Sequence, residues 1–236
     1  ILNMKKNKIV LNVPHSSIAG LTQKNSGWNV NQDFINKSVR SLTDWFTDML
    51  FTCSKKYDEC VIFPYSRFCV DVERLHDDEM EKYGQGILYS EYNHKKRHLS
   101  DEDKEYWMMK YDEHHNELKS SLCENAILID CHSFTPKDGD ADICIGFNTD
   151  WSYDEGIVEI VQQTFIESGY SVSINKPYSN SITPNCPFTY KSIMIEVNKK
   201  VYMDERLLLL NNPRQWMRWA GCLDKISERL SEYKIS

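Results

Sequence analysis

The chain has 236 residues, 41% of them hydrophobic, and a formal net charge of −7. That length is enough for one substantial domain with a buried core. Its acidity, with no basic block to offset it, argues against a nucleic acid or an anionic membrane surface as partner; Lys5, Lys6 and Lys8 read as a solvated terminus.

Residues 8–13 form an apolar run, closed by Pro14, that predicts a first strand. Phe34, Ile35, Val39, Leu42, Phe46 and Met49 then recur at three- and four-residue steps, the stripe of an amphipathic helix. Runs at 60–63 and 68–72 predict two more strands. Residues 83–100, rich in Gly, His, Tyr and Lys without either period, predict a long loop of the kind that often binds or covers a ligand. Ser100 followed by Asp101, Glu102 and Asp103 marks the start of a helix running to about Leu118. Apolar runs at 126–131, 143–147, 170–174 and 193–197 predict further strands. Helices are expected over 155–167 and 213–230, the second opening on Pro213. Consecutive apolar positions, as in "AILIDC" and "SIMIEV", suit strands covered on both faces. The alternation predicts an α/β fold, a single domain over residues 1–236 with a mixed, mostly parallel twisted sheet flanked by helices.

The eight cysteines include no C-x-x-C pair, and Cys60, Cys69, Cys131 and Cys144 stand inside apolar runs. They read as reduced, buried thiols. No apolar run approaches ~20 residues and no charged-then-apolar segment opens the chain, so a cytoplasmic protein is expected.

Polar residues interrupt these runs at telling places. His15 follows the first strand, His132 of "DCHS" follows "AILID", and Glu196 sits near the end of "SIMIEVN". Arg67, Asp71 and Arg74 bracket "FCVDV". In open α/β sheets the ligand crevice lies beyond the carboxyl ends of the strands, so these groups are expected at one edge. Two imidazoles and a carboxylate form the ligand set of catalytic zinc. A further carboxylate can move the water's proton, and arginines can hold an oxyanion or a substrate carboxylate. Each residue also has a plainer reading. His15 and His132 can be turn or structural histidines, Glu196 can pair with an arginine, and Arg67 and Arg74 can pair with Asp71 and Glu73. Spacing alone leaves both readings open.

Taken together, "VPHSS", "YSRFCVDVERLHDD", "ILIDCHSF", "ADICIG", "NKPYSNSITP" and "IMIEVNKKVYMDE" resemble the N-formylglutamate amidohydrolase family, in its order, from Val13 to Glu205. That family is similar to the zinc carboxypeptidase and aspartoacylase group. The resemblance implies a zinc-dependent hydrolase acting on a small-molecule N-acyl amino acid. It makes His15 and His132 zinc ligands, with Asp44 of "LTDWFTDML" favoured over Asp33 or Asp48 as the acidic ligand. Asp44 competes with a plain reading as part of a solvated helix face. Glu196 matches the general base, Arg67 the group that polarises the scissile carbonyl, and Arg74 the anchor of the substrate carboxylate. Asp71 is expected to orient those arginines. His114 or His115 matches a family position near a helix end, but a surface helix histidine is as good a reading.

Three departures stand out. The family's "DLNR" reads "DVER", so Glu73 replaces an Asn expected to help bind the carboxylate, where an acid would repel it. "PYxGG" reads "PYSNS", putting Ser179, Asn180 and Ser181 where glycines would give freedom, with Asn180 expected at the substrate. "PHSG" reads "PHSS" at Ser17. These departures keep two alternatives in view: a metal-dependent amidase acting on a peptide or cell-wall amide, and a catalytically inactive binding module on the same fold.

Overall fold

The computed structural model describes residues 6–22 and 24–235; Lys5 of the basic cluster lies outside them. In chain order the elements are β1 (Ile9–Val13), α1 (Gln32–Leu42), α2 (Thr47–Thr52), β2 (Glu59–Ile62), β3 (Glu91–Tyr92), β4 (Lys95–Lys96) and α3 (Asp101–Ser121). They continue with β5 (Ile127–Phe134), β6 (Ile143–Gly146), α4 (Glu155–Glu167), β7 (Val172–Ile174), β8 (Lys191–Asn198), β9 (Met203–Asp204), β10 (Leu209–Leu210) and α5 (Pro213–Glu232). The fold is α/β, and its residues fall into two compact units. One holds the chain through Val13, Phe46–Val61 and the chain from Lys119 onward; the other holds Pro14–Trp45 and Ile62–Leu118.

The first unit is built on a six-stranded sheet in the order β2-β1-β5-β8-β6-β7. β1, β5 and β8 run parallel, β6 runs antiparallel to β8 and parallel to β7, which is the mixed, mostly parallel sheet expected. Side chains alternate across a strand, and the register sorts them cleanly. Leu11, Ile129, Ile195 and Ile145 share one face, where Leu11, Ile129 and Ile195 border Phe51 of α2 and Leu223 and Ile226 of α5. Asn12, Asp130, Met194, His132, Glu196 and Cys144 share the other. The central strands are buried on both faces, so continuous apolar runs broken by a few polar residues are what such a sheet requires. On the helix side Trp219 stacks on Phe165 of α4 and donates its indole N–H to Leu50 O at 2.8 Å. α4 begins at an N-cap, Asp154, whose side chain accepts from Ile157 N, and α5 at Asn212 followed by Pro213.

The second unit has two apolar clusters. Trp28, Ile35, Val39, Phe68 and Tyr89 form one; Phe63, Cys69, Val70, Val72, Ile87, Trp107 and Tyr111 form the other. Here the structure corrects three expectations. Residues 68–72 are no strand. They lie in a chain of turns, with Cys69 N bound to Ser66 O at 2.8 Å and Arg74 N to Asp71 O at 3.3 Å. Phe68, Cys69, Val70 and Val72 are nevertheless all fully buried, because a compact turn in a core buries consecutive side chains as a central strand does. The apolar stripe from Phe34 to Met49 is two helices. Thr43 N closes α1 on Val39 O, Asp44 N leaves the helix for His15 O at 3.0 Å, and Phe46 takes a left-handed φ of 62° ahead of α2. Finally, residues 83–100 contain the hairpin β3–β4, turned at Asn93 and His94 with φ of 45° and 61°. Positive φ at both central residues is the hairpin-turn signature, supplied here by Asn and His rather than Gly. α3 starts where expected, with Asp103 N and Ser100 Oγ bound at 3.1 Å, and extends past Leu118 to Ser121.

Among the described residues no helix is long and apolar enough to cross a membrane, and no disulfide forms. Cys69, Cys131 and Cys144 are buried as expected, while Cys60 is half-buried.

Candidate metal-binding and catalytic residues

In the second unit Asp71 is the hub. Its carboxylate is fully buried. Oδ2 accepts from Arg67 Nε at 3.1 Å and Arg67 Nη2 at 2.8 Å, a fork-like grip, and from the Tyr89 hydroxyl at 3.4 Å. Arg74 Nε stands 3.7 Å away. Oδ1 lies 2.8 Å from His15 Nε2 and accepts from the backbone N–H of Glu73 at 3.2 Å. Burial alone would raise the Asp71 pKa, but Arg67, His15 and Arg74 hold it well below the usual carboxylate range. The charged carboxylate conversely keeps Arg67 cationic against the cost of its own burial. An ionised Asp71 can only accept, so a neutral His15 donates from Nε2 and presents a lone pair at Nδ1. Nδ1 faces Asp44 Oδ2 at 3.7 Å. Asp44 is 7% exposed and lies between α1 and α2, so it is not part of a solvated helix face. The backbone tie from Asp44 N to His15 O holds it beside the imidazole.

In the first unit His132 and Glu196 lie inside β5 and β8, in their C-terminal halves, rather than beyond them. They are register partners on adjacent parallel strands, and Cys144 of β6 is the next partner along the row. His132 Nε2 is 3.1 Å from Asp130 Oδ1. Burial pushes the Asp130 pKa up, but His132, the Ile182 amide and Asn12 bring it below its ordinary value. By the same acceptor-only logic a neutral His132 has its proton on Nε2 and its lone pair on Nδ1. Burial raises the Cys144 thiol, which donates to Tyr178 O at 3.2 Å and remains protonated. Glu196, only 7% exposed, adds to that upward shift.

The other expected residues sort as follows. Asn180 is exposed and takes a left-handed φ of 71°, the conformation for which the family's glycine is suited and which Asn tolerates better than most residues. Ser17 needs no glycine freedom: its hydroxyl donates to Pro64 O at 2.7 Å and accepts from Ala19 N at 3.1 Å. Glu73 is half-buried, and its charge adds to the burial that pushes the Tyr111 phenol up to about 12. Asp33 is exposed in the first turn of α1, and Asp48 is half-buried in the first turn of α2. His114 and His115 are not surface histidines. Both are buried, His114 edge-on to Phe63 and His115 Nε2 bonded to Val72 O at 2.9 Å. Sequence reasoning gave no role to Asn12 or Tyr89; a lone Asn in "IVLNV" was the one available signal for the first.

Two buried imidazoles whose Nε2 atoms face aspartates at 2.8 Å and 3.1 Å are the kind of neutral donor a divalent metal takes through Nδ1. Asp44 adds a buried carboxylate beside one of them.

A family model described as N-formylglutamate amidohydrolase matches residues 7–203. The N-formylglutamate amidohydrolase of Ralstonia eutropha JMP134 superposes with a TM-score of 0.76 at 17% identity, covering 97% of this chain and 95% of that one. A gene product of Agrobacterium tumefaciens superposes with a TM-score of 0.67 at 16% identity, covering 96% and 91%. At such identities the superpositions speak for the fold. None of the curated proteins matches the chain by sequence.

Proposed function

Because this chain belongs to the N-formylglutamate amidohydrolase family, by the match over residues 7–203, we propose that it is a zinc-dependent hydrolase of an N-acyl amino acid. The reference reaction is N-formyl-L-glutamate plus water giving L-glutamate and formate. His15 and His132, each through Nδ1, and Asp44 are the residues assigned to hold the ion. Zinc in such a site supplies Lewis acidity, bringing the pKa of a water near neutrality and polarising a carbonyl. Glu196 takes the attacking water's proton and delivers it to the leaving nitrogen. Arg67, held cationic and pre-aimed by Asp71, stabilises the oxyanion that develops on the scissile carbonyl. Arg74 pairs with the substrate's α-carboxylate, and Asn180 is assigned to the substrate's binding side.

The observation that carries this reading is the pairing of each imidazole with a buried carboxylate through Nε2, at 2.8 Å for His15 and 3.1 Å for His132. A turn histidine has no need of such a partner. Glu73, an acid where the family's Asn is expected to help bind the substrate carboxylate, repels that group if it faces it, which favours a substrate other than N-formyl-L-glutamate.

The test is Glu196→Gln in zinc-replete protein. The rate on N-acyl amino acids should fall by about 10²–10⁴-fold while zinc content, measured by plasma emission, stays at the wild-type level. Unchanged turnover would remove Glu196 from the mechanism.

A further inference from the structure

Asp130 makes more contacts than a histidine partner needs. Oδ1 faces His132 Nε2 at 3.1 Å and accepts from Asn12 Nδ2 at 3.0 Å. Oδ2 accepts from the backbone N–H of Ile182 at 3.1 Å, across 52 residues of chain. Ile182 stands two residues after Asn180, where the chain passes from exposed to buried. The same stretch is pinned from other sides. Asn148 takes both backbone groups of Ser181, with Oδ1 accepting from its N–H at 3.2 Å and Nδ2 donating to its carbonyl at 2.9 Å. Ser192 Oγ meets Ser181 Oγ at 2.6 Å and donates to Ile182 O at 2.8 Å.

We infer that Asp130 is a positioning residue that uses one carboxylate to fix two things at once: the Nε2–H tautomer of His132 and the inner anchor of the Asn180 loop. The inference rests on the reading of His132 as a metal ligand. The chemistry of the carboxylate makes it specific. All three partners are donors, and only an acceptor with two free oxygens serves them all. An amide at the same place has one oxygen and one NH2. If its oxygen faces His132, its NH2 opposes the Ile182 N–H and the loop anchor is lost. If its oxygen faces Ile182, its NH2 forces His132 to accept at Nε2, which moves the ring proton to Nδ1 and removes the lone pair a metal needs. Asp130→Asn therefore cannot satisfy both ends.

Three readings on the full-length protein test this. Ring ¹⁵N spectra of metal-free wild type at pH 8, with His132 assigned from His132→Gln, should show the Nε2–H tautomer; an Nδ1–H ring overturns the inference whatever the variants do. Asp130→Asn should bind Zn²⁺ about 10–100-fold more weakly in a chelator competition. It should also show faster hydrogen exchange at the Ile182 amide than wild type does, with strand β8 unchanged. Wild-type zinc affinity together with wild-type Ile182 exchange in that variant overturns the inference. If Asp130→Asn does not fold, the wild-type ring spectrum decides. Failure of the underlying metal reading looks different: His132→Gln would then bind zinc as tightly as wild type, with the tautomer still as stated.

Discussion

Asp71 and Asp130 do the same job on unrelated pieces of chain: each is a buried acceptor that tells an imidazole which nitrogen keeps its proton. Asp71 also bears Arg67 and Arg74, so its carboxylate stays ionised in a place where burial alone would protonate it. A third acid, Asp142, shows the same logic away from the candidate catalytic groups. Its carboxylate accepts from the N–H and hydroxyl of Ser171 at 3.0 Å and 2.9 Å, clasping β6 to the start of β7, and burial's upward push on its pKa is outweighed by Ser171 and Lys200. Its folded pKa is thus below its unfolded one. The stability it contributes is present above the unfolded value, about 3.9, and is lost as pH falls through the folded value. Asp142→Asn should cost about 1 kcal/mol at pH 7. Urea titrations of variant and wild type should converge as pH drops below about 4; a gap that persists in acid would show that its charge is not the cause.

At the scale of elements, strands and helix starts were legible because they obey local rules. β1, β5, β6 and β8 announce themselves as apolar runs, and α3 and α5 by Ser100 and Pro213. What escaped was decided by distant partners. Nothing near residue 44 says that its N–H will leave the helix for His15 O, and nothing in "FCVDV" says that Asp71 N will seek Ile87 O rather than a strand neighbour. The catalytic candidates were legible as motifs, and so was the pairing of Arg67 and Arg74 with Asp71; the bonds of Asp71 to His15 and of Asp130 to Ile182 were not, since they span 56 and 52 residues. The Asn180 loop is the element where a departure from the family pattern is most open to measurement. With φ at 71°, Asn180→Ala places an ordinary Cβ in the left-handed region and should cost about 1 kcal/mol. Asn180→Gly should cost less, since glycine adopts that φ freely. Equal stability of the two variants in urea would mean that the loop backbone carries no strain.

For the molecule as a whole, each unit has its own apolar core, around Trp219 in one and around Trp28 and Trp107 in the other. Residues 7–203, the family match, draw on both. On the proposed function zinc is a stabiliser by mass action, because it binds folded donors and has little to grip in the unfolded chain. Free Zn²⁺ at about a hundred times its dissociation constant should add about 2.7 kcal/mol, visible as a rise in the melting temperature. Glu196→Gln should keep that rise and His132→Ala should lose it. A rise of equal size in His132→Ala would place the ion elsewhere.

The alternation along β5, with Ile127, Ile129 and Cys131 toward the helices and Asp130 and His132 away from them, also constrains how this chain can evolve. Loops such as 135–142 can gain or lose residues at small cost. A one-residue insertion or deletion between Ile127 and Asp130, unless absorbed as a bulge, exchanges the two faces. It would send an aspartate and a histidine into the apolar layer and isoleucines to the polar side. Core and chemistry are written in one reading frame of period two. Indels in this strand should therefore be lethal to both together, while substitutions can erode either one alone.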